Sequence, residues 1–386
     1  MKVAYAVPHL VVGAVGQRVL GVSRAMLATG HVDAVTVLGP AHDITDTELL
    51  GVGFRVVEEI GEGPRTATDK TLRRLRLGSD TVAALDAMAV QPDLVIVYGG
   101  GALYMHRLQN WARGKSIRIA ADIVEWYDPS HLPMGRLGPL ALDNHLMMSR
   151  VAARCDGILA VSSFLARHFS HEGVRAVMVV PPVLDTSGLD VGNGVAPVGR
   201  SEFVYCGDPG RKDRLDLVLR AAIQLDQNGA RLRFTVAGPD PLKVAQLAGV
   251  SELPPVINAV GRVSRAESLE LVRHAHWMPL IRDDRRFAHA GFPTKLVEAM
   301  SVGTPILGNI TSDIGEVLKD GVSGIVAEGA TLAATSKAIA RALEVSGDRH
   351  DRMRQAVLAS AREFFDYRQY VASLDEWLNL VMSGER

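Results

Sequence analysis

The chain has 386 residues, 47% of them hydrophobic, and a formal net charge of -1. This length suits two to three domains of ~150 residues with ordinary cores, and the balanced charge excludes a broad nucleic-acid footprint. Cys155 and Cys206 are the only cysteines, each in an apolar run, which argues against a disulfide framework and for a reducing, cytoplasmic setting. No run reaches the roughly 20 apolar residues that span a bilayer, so membrane contact is expected to be peripheral at most.

Valine- and isoleucine-rich runs alternate with helical stretches from end to end, the pattern of parallel sheets covered on both faces. The fold class is α/β throughout. In the first half, strands are expected at 2–7, 34–38, 54–57, 94–98, 117–121, 158–161 and 176–180. Pro8 and His9 interrupt the opening apolar residues, which read as a buried strand rather than a leader. The first helix is expected at 16–29 and closes on Gly30, which suits a left-handed cap. Before it runs Gly13-Ala14-Val15-Gly16-Gln17-Arg18, a glycine turn. Arg73, Arg74 and Arg76 read as a solvated helix face, with a membrane or acceptor patch as the alternative. Asp122, Glu125, Trp126, Tyr127 and Asp128 follow the fifth strand at the carboxyl edge, where α/β sheets bind ligands. Asp122 and Glu125 are candidates for steering a hydroxyl, and equally suit helix capping and solvation.

After Pro181 and Pro182, residues 184–200 are glycine-rich and lack a sustained apolar period, so they read as an interdomain linker. A second series of strands is expected at 203–206, 232–237, 256–260, 277–281, 305–307 and 324–327. The first of these runs into Gly207-Asp208-Pro209-Gly210-Arg211-Lys212-Asp213 and then a helix. Such a loop lets backbone amides approach a pyrophosphate, with Arg211 or Lys212 neutralising it; a plain turn is the alternative. Ser264 and Glu267 have capping-box spacing after Gly261-Arg262-Val263. Arg282 and Arg286 either line a diphosphate site or pair with Asp283 and Asp284, and His9 and His289 read as structural. A last helix is expected at 367–382.

The most informative segment runs from Phe287 to Asn309. Gly291 and Pro293 break the backbone around Phe292, Thr294 suits an N-cap, and Lys295 and Glu298 project from one face of the following helix. The helix mouth and Lys295 suit a phosphate, while a carboxylate one turn deeper can accept hydrogen bonds from a vicinal diol. These groups describe a nucleotide diphosphate-sugar pocket.

The segment resembles the donor-binding motif of GT-B retaining glycosyltransferases, in particular family four, the glycosyl transferases group 1 type. The resemblance implies two Rossmann-like domains facing across a cleft. Residues 1–183 would bind the acceptor and 201–365 the nucleotide-sugar, with 184–200 as linker and 366–386 packing back on the first domain. It makes Glu298 the ribose ligand and assigns the diphosphate clamp to Lys212 and Lys295. Arg211 is a near substitute, because Asp208 occupies the usual arginine position. It sets Arg262 and Val263 beside the nucleobase, and Gly13 and Gly16 in a glycine loop touching donor phosphate and acceptor. Ala290 stands where relatives usually carry a glutamate that contacts the transferred sugar. A subgroup from surface-polysaccharide and secondary-metabolite clusters shares that departure. The region where relatives carry a histidine offers only His131, out of register.

The implied activity is transfer, with retention, from a nucleotide diphosphate-sugar, a UDP-sugar favoured, to a hydroxyl on a small molecule, glycan or lipid-linked acceptor. No cofactor or metal is implied, and the resemblance allows a homodimer. The alternative is a silent nucleotide-sugar-binding subunit that supports a partner enzyme. An epimerase of the same fold fits the Lys295–Glu298 helix less well, and a dinucleotide oxidoreductase lacks its three-glycine fingerprint.

Overall fold

The computed structural model describes residues 1–9, 11, 13–40, 52–57, 77–187 and 199–384. Arg73, Arg74 and Arg76, and most of the expected linker, lie outside them. The chain divides into two compact units, Met1–Leu184 with Tyr367–Arg386, and Asp185–Asp366. Among the described residues no helix is long and apolar enough to cross a membrane.

The first unit is built on a seven-stranded sheet in the order β3-β2-β1-β4-β5-β6-β7. Its strands are β1 Lys2–Ala6, β2 Ala34–Gly39, β3 Val52–Val56, β4 Leu94–Tyr98, β5 Arg118–Ile123, β6 Gly157–Ala160 and β7 Ala176–Val179. Every pairing is parallel. β4 reads Leu-Val-Ile-Val-Tyr and is buried along its whole length, as a strand covered on both faces must be. The order reverses between β1 and β4, which makes the carboxyl ends of those strands the natural ligand-binding edge. The first helix, Gly13–Ala28, starts three residues earlier than expected, so Gly13 and Gly16 belong to its first turn rather than to a separate loop. Gly13 has a φ of 54°, a conformation that a side chain would strain.

The last helix, Val371–Ser383, follows a short turn at Tyr367–Tyr370 and packs on this first sheet. It buries Leu374, Trp377, Leu378 and Val381, and the Trp377 indole donates to the Ala176 carbonyl at 3.0 Å. A Cβ on Gly157 would come within 2.5 Å of Val381 and 2.9 Å of Trp377, so glycine there lets the helix seat.

Asp122 corrects the expectation that it steers an acceptor. It is fully buried in β5, receives Arg18 Nη2 at 2.7 Å, and accepts a hydrogen bond from Tyr5 Oη. Arg18 continues to the backbone of Val180 and Pro181. Both carboxylate oxygens are committed to protein partners, so Asp122 ties the first helix and β1 to β5.

The second unit carries β8 Ser201–Cys206, β9 Leu232–Ala237, β10 Ile257–Gly261, β11 Met278–Leu280, β12 Ile306–Gly308 and β13 Gly324–Val326. They pair as β10-β9-β8 and β11-β12-β13, and a parallel bridge from Phe203 to Trp277 joins the two sets. Phe203, Phe234 and Trp277 fill the core below, against the apolar side of helix Leu215–Gln227. The expected strands in both halves match these within a few residues.

Two stability predictions follow from buried polar groups. Asp122→Ala leaves the Arg18 guanidinium without its counter-ion, and should cost about 3–5 kcal/mol in denaturant unfolding. His350, beside the Trp277 ring and hydrogen-bonded to the His276 carbonyl at 2.8 Å, is held below the ordinary histidine range by burial. The unfolded chain therefore takes up a proton near pH 6.5 that the folded chain refuses, so stability should fall as pH drops below that value. Replacement by an uncharged residue should flatten that acid limb in a melting series, whatever its effect at neutral pH.

Candidate functional site

The site is assembled at the carboxyl end of β8. Gly207 follows the strand with a φ of 104°, and a Cβ there would lie 2.8 Å from Lys295 Cε. The backbone conformation favours glycine, and a side chain there would also displace the end of the lysine. Gly238, after β9, would clash at 2.8 Å with the Gly207 backbone, so the two strand ends touch main chain to main chain.

Lys295 arrives from helix Thr294–Ser301, which starts directly after the Gly291-Phe292-Pro293 break. The expected N-cap is corrected: Pro293, not Thr294, occupies it, and no side chain caps this helix. Proline offers no side-chain oxygen to the first-turn amides, so the mouth keeps donors that suit an anion. Phe292 packs its ring edge-on against Phe365, 5.8 Å between centroids.

The Lys295 ammonium donates to the Asp208 carbonyl at 3.0 Å and to Asp213 Oδ2 at 3.0 Å, and lies 5.2 Å from the centre of the Tyr205 ring. The same Asp213 oxygen accepts from Tyr205 Oη at 2.6 Å. Its other oxygen forms an ion pair with Arg282 Nε at 3.4 Å, and both side chains are almost wholly buried. Asp283 pairs with Arg214 at 2.8 Å, and Asp284 with His289. The Asn309 amide brackets the Arg282 main chain, accepting from its N–H and donating to its carbonyl, each at 2.8 Å. Arg211 is exposed and Lys212 half-buried on the same loop, while Arg286 opens the short helix Arg286–Ala290 at the surface.

One turn past Lys295, Glu298 faces Arg265 at 3.5 Å. Burial pushes its carboxyl above the ordinary range, opposed by the positive charges of Arg265 and Lys295. Arg265 opens a helix whose capping box has both expected bonds, Glu267 N–H to Ser264 Oγ at 3.2 Å and Ser264 N–H to Glu267 Oε2 at 2.7 Å. Arg262 is exposed and Val263 half-buried just before it. A cavity of about 580 Å³ lies beneath that helix, touching Val263 and Glu267 but neither Lys295 nor Glu298.

At the carboxyl edge of the first sheet, Glu125 hydrogen-bonds Tyr127, and Trp126 packs against His168 with centroids 4.5 Å apart and the rings tilted by 50°. Asp128 caps the turn Pro129–His131, accepting from Ser130 N–H at 2.9 Å, so His131 sits in a structural turn. His9 is lowered by burial, against the opposing charge of Glu125.

Sequence reasoning missed Asp213, Tyr205 and Asn309. Their partners lie 82, 8 and 27 positions away, and no local spacing announces such contacts.

Residues 193–358 match the family model described as glycosyl transferases group 1. A comparison with curated protein sequences gave no match. Among solved structures, the chain is similar to sucrose-phosphate synthase from Thermosynechococcus elongatus, with a TM-score of 0.72 at 12% identity, covering 100% of both chains. It is similar to a glycosyltransferase from Rickettsia africae, with a TM-score of 0.69 at 12% identity over 99% of each chain. Anabaena Alr3699/HepE, solved in complex with UDP-glucose, aligns with a TM-score of 0.67 at 15% identity over 98% of this chain and 99% of its own. The group 1 match falls on the unit that holds Lys295 and Glu298, and together with the GT-B fold it marks the chain as a glycosyltransferase whose residues 193–358 are similar to the glycosyl transferases group 1 family.

Proposed function

We propose that the protein transfers a sugar, with retention of anomeric configuration, from a UDP-sugar to a hydroxyl acceptor. The observation that carries this reading is the placement of Lys295 and Glu298 on one uncapped helix mouth against the Gly207 loop. In this reading Lys295, the helix amides and Lys212 receive the diphosphate, with Arg282 beside them and Arg211 and Arg286 at the rim. Glu298 accepts hydrogen bonds from the ribose hydroxyls, and the loop Gly261-Arg262-Val263 borders the base. Gly13, Gly16 and Glu125, at the carboxyl edge of the first sheet, serve the acceptor.

The reaction breaks the bond between the anomeric carbon and the β-phosphate oxygen and forms one to the acceptor oxygen. The acceptor proton passes to the departing diphosphate. Negative charge grows on that leaving group, so the protein's contribution is electrostatic: fixed cations and amide dipoles aimed at oxygens that become more negative. These groups carry the charge without a metal ion in this reading. HepE was solved with UDP-glucose, which favours uracil as the base.

The test is calorimetry against UDP, GDP, ADP, NAD and their common sugar conjugates, with and without magnesium. UDP-series binding independent of magnesium is expected; a preference for NAD, or no response, would overturn the reading. Glu298→Ala should weaken nucleotide binding by roughly 10- to 100-fold, the equivalent of a hydrogen bond to a charged group. Lys295→Ala should slow turnover by about 10²–10³, as loss of an oxyanion donor does, with a smaller effect on binding. Only the ionised Glu298 is the full acceptor. Its raised carboxyl should therefore make nucleotide affinity fall on acidification at a pH above the ordinary glutamate value of 4.5. Glu298→Gln should remove that dependence.

A further inference from the structure

We propose that Asp213 is a positioning residue for sugar transfer, a carboxylate that aims Lys295 at the leaving diphosphate; this rests on the donor-site reading above. Asp213 is acidic in a loop where binding a polyanion favours only basic groups, yet it is almost wholly buried there. It touches both cations that approach from the other side of the site, Lys295 at 3.0 Å and Arg282 at 3.4 Å. Two cations this close repel each other, and the carboxylate between them offsets that repulsion and the desolvation of the guanidinium.

The carboxylate is itself fixed. Tyr205 Oη donates to it at 2.6 Å, and the Asp213 main chain bridges to Arg282 in antiparallel register. The next residue reinforces the bridge, Arg214 N–H donating to the Ile281 carbonyl at 2.7 Å and its guanidinium pairing with Asp283 at 2.8 Å. Against this frame Lys295 is the more exposed member, with 22% of its side chain accessible. An ammonium has three donor hydrogens. One goes to the Asp208 carbonyl and one to Asp213, which orients the third for a phosphate oxygen at the helix mouth.

A group that only adds to binding and a group that only supports the fold both predict something different from a positioning group. Removing the Asp213 charge makes the site more positive, so the nucleotide should bind as well or better. Lys295, released from its aim, should serve the transition state less well. The experiment measures UDP affinity by calorimetry and UDP release from UDP-glucose with water as acceptor, with GDP-glucose and ADP-glucose in parallel. Asp213→Asn should lower the release rate at least tenfold while UDP affinity stays equal or rises, and Asp213→Glu should recover part of the rate. The double variant Asp213→Asn with Lys295→Ala should be no slower than Lys295→Ala alone, because the two act as one unit.

A wild-type rate in Asp213→Asn, or additive losses in the double variant, would overturn the inference while leaving the donor site intact. Absence of nucleoside diphosphate binding in the wild-type protein would instead remove the donor reading and this inference with it. If Asp213→Asn does not fold, Tyr205→Phe loosens the carboxylate without changing charge. It should slow release two- to fivefold at unchanged UDP affinity, and an unchanged rate there would also overturn the assignment.

Discussion

One buried carboxylate organises the second unit's site. Asp213 pairs with both Lys295 and Arg282, at 3.0 and 3.4 Å, and neighbouring residues fit around that arrangement. Gly207 gives up its side chain so the lysine can pass, Gly238 gives up its own so the Gly207 backbone can sit low, and Asn309 brackets the main chain of the arginine. A buried charge cluster of this kind is a poor investment for stability, since desolvation consumes most of the Coulombic gain. In the donor-site reading its value lies in fixed direction: charges already in place need not reorganise as the leaving group departs.

The first unit uses the same chemistry for the opposite end. Arg18 and Asp122 are also a buried ion pair satisfied by a tyrosine, but both oxygens and the guanidinium face protein on every side. Nothing is left over for a ligand. The contrast is instructive, because both aspartates stand near the carboxyl end of a strand where α/β sheets recruit catalytic groups. What separates them is whether a partner cation retains a donor pointing outward: Lys295 does so by its exposure and its third hydrogen, Arg18 does not.

Most of the architecture was legible in the sequence because parallel strands buried on both faces must be written as unbroken apolar runs. β4 and β9 were found to the residue for that reason. Boundaries failed where local rules compete: Gly13 looked like a loop residue but begins a helix, and Thr294 looked like a cap but is the first helical residue. The helix mouth, Lys295 and Glu298 were visible, since three residues of spacing define one helix face. Asp122 was misread because its fate depends on Arg18, 104 positions away, and Asp213 went unnoticed because its partner Lys295 lies on a helix 82 positions away. Local pattern reveals which groups are present at a sheet edge, whereas only tertiary pairing decides which of them remain available.

The one-residue displacement of that threonine has a physical meaning. A threonine at the N-cap would accept a first-turn amide and stabilise the helix by about 1 kcal/mol. Proline at that position forgoes the bond, and the helix is left with donors aimed at the place where Lys295 also points. A capped helix would have its amides satisfied before any ligand arrived, and a phosphate oxygen would have to compete with the side chain for them. The missing cap and the crowded cations are thus two local costs borne at one point. In the donor-site reading, both are offset by the same event, the arrival of an anion with oxygens to spare.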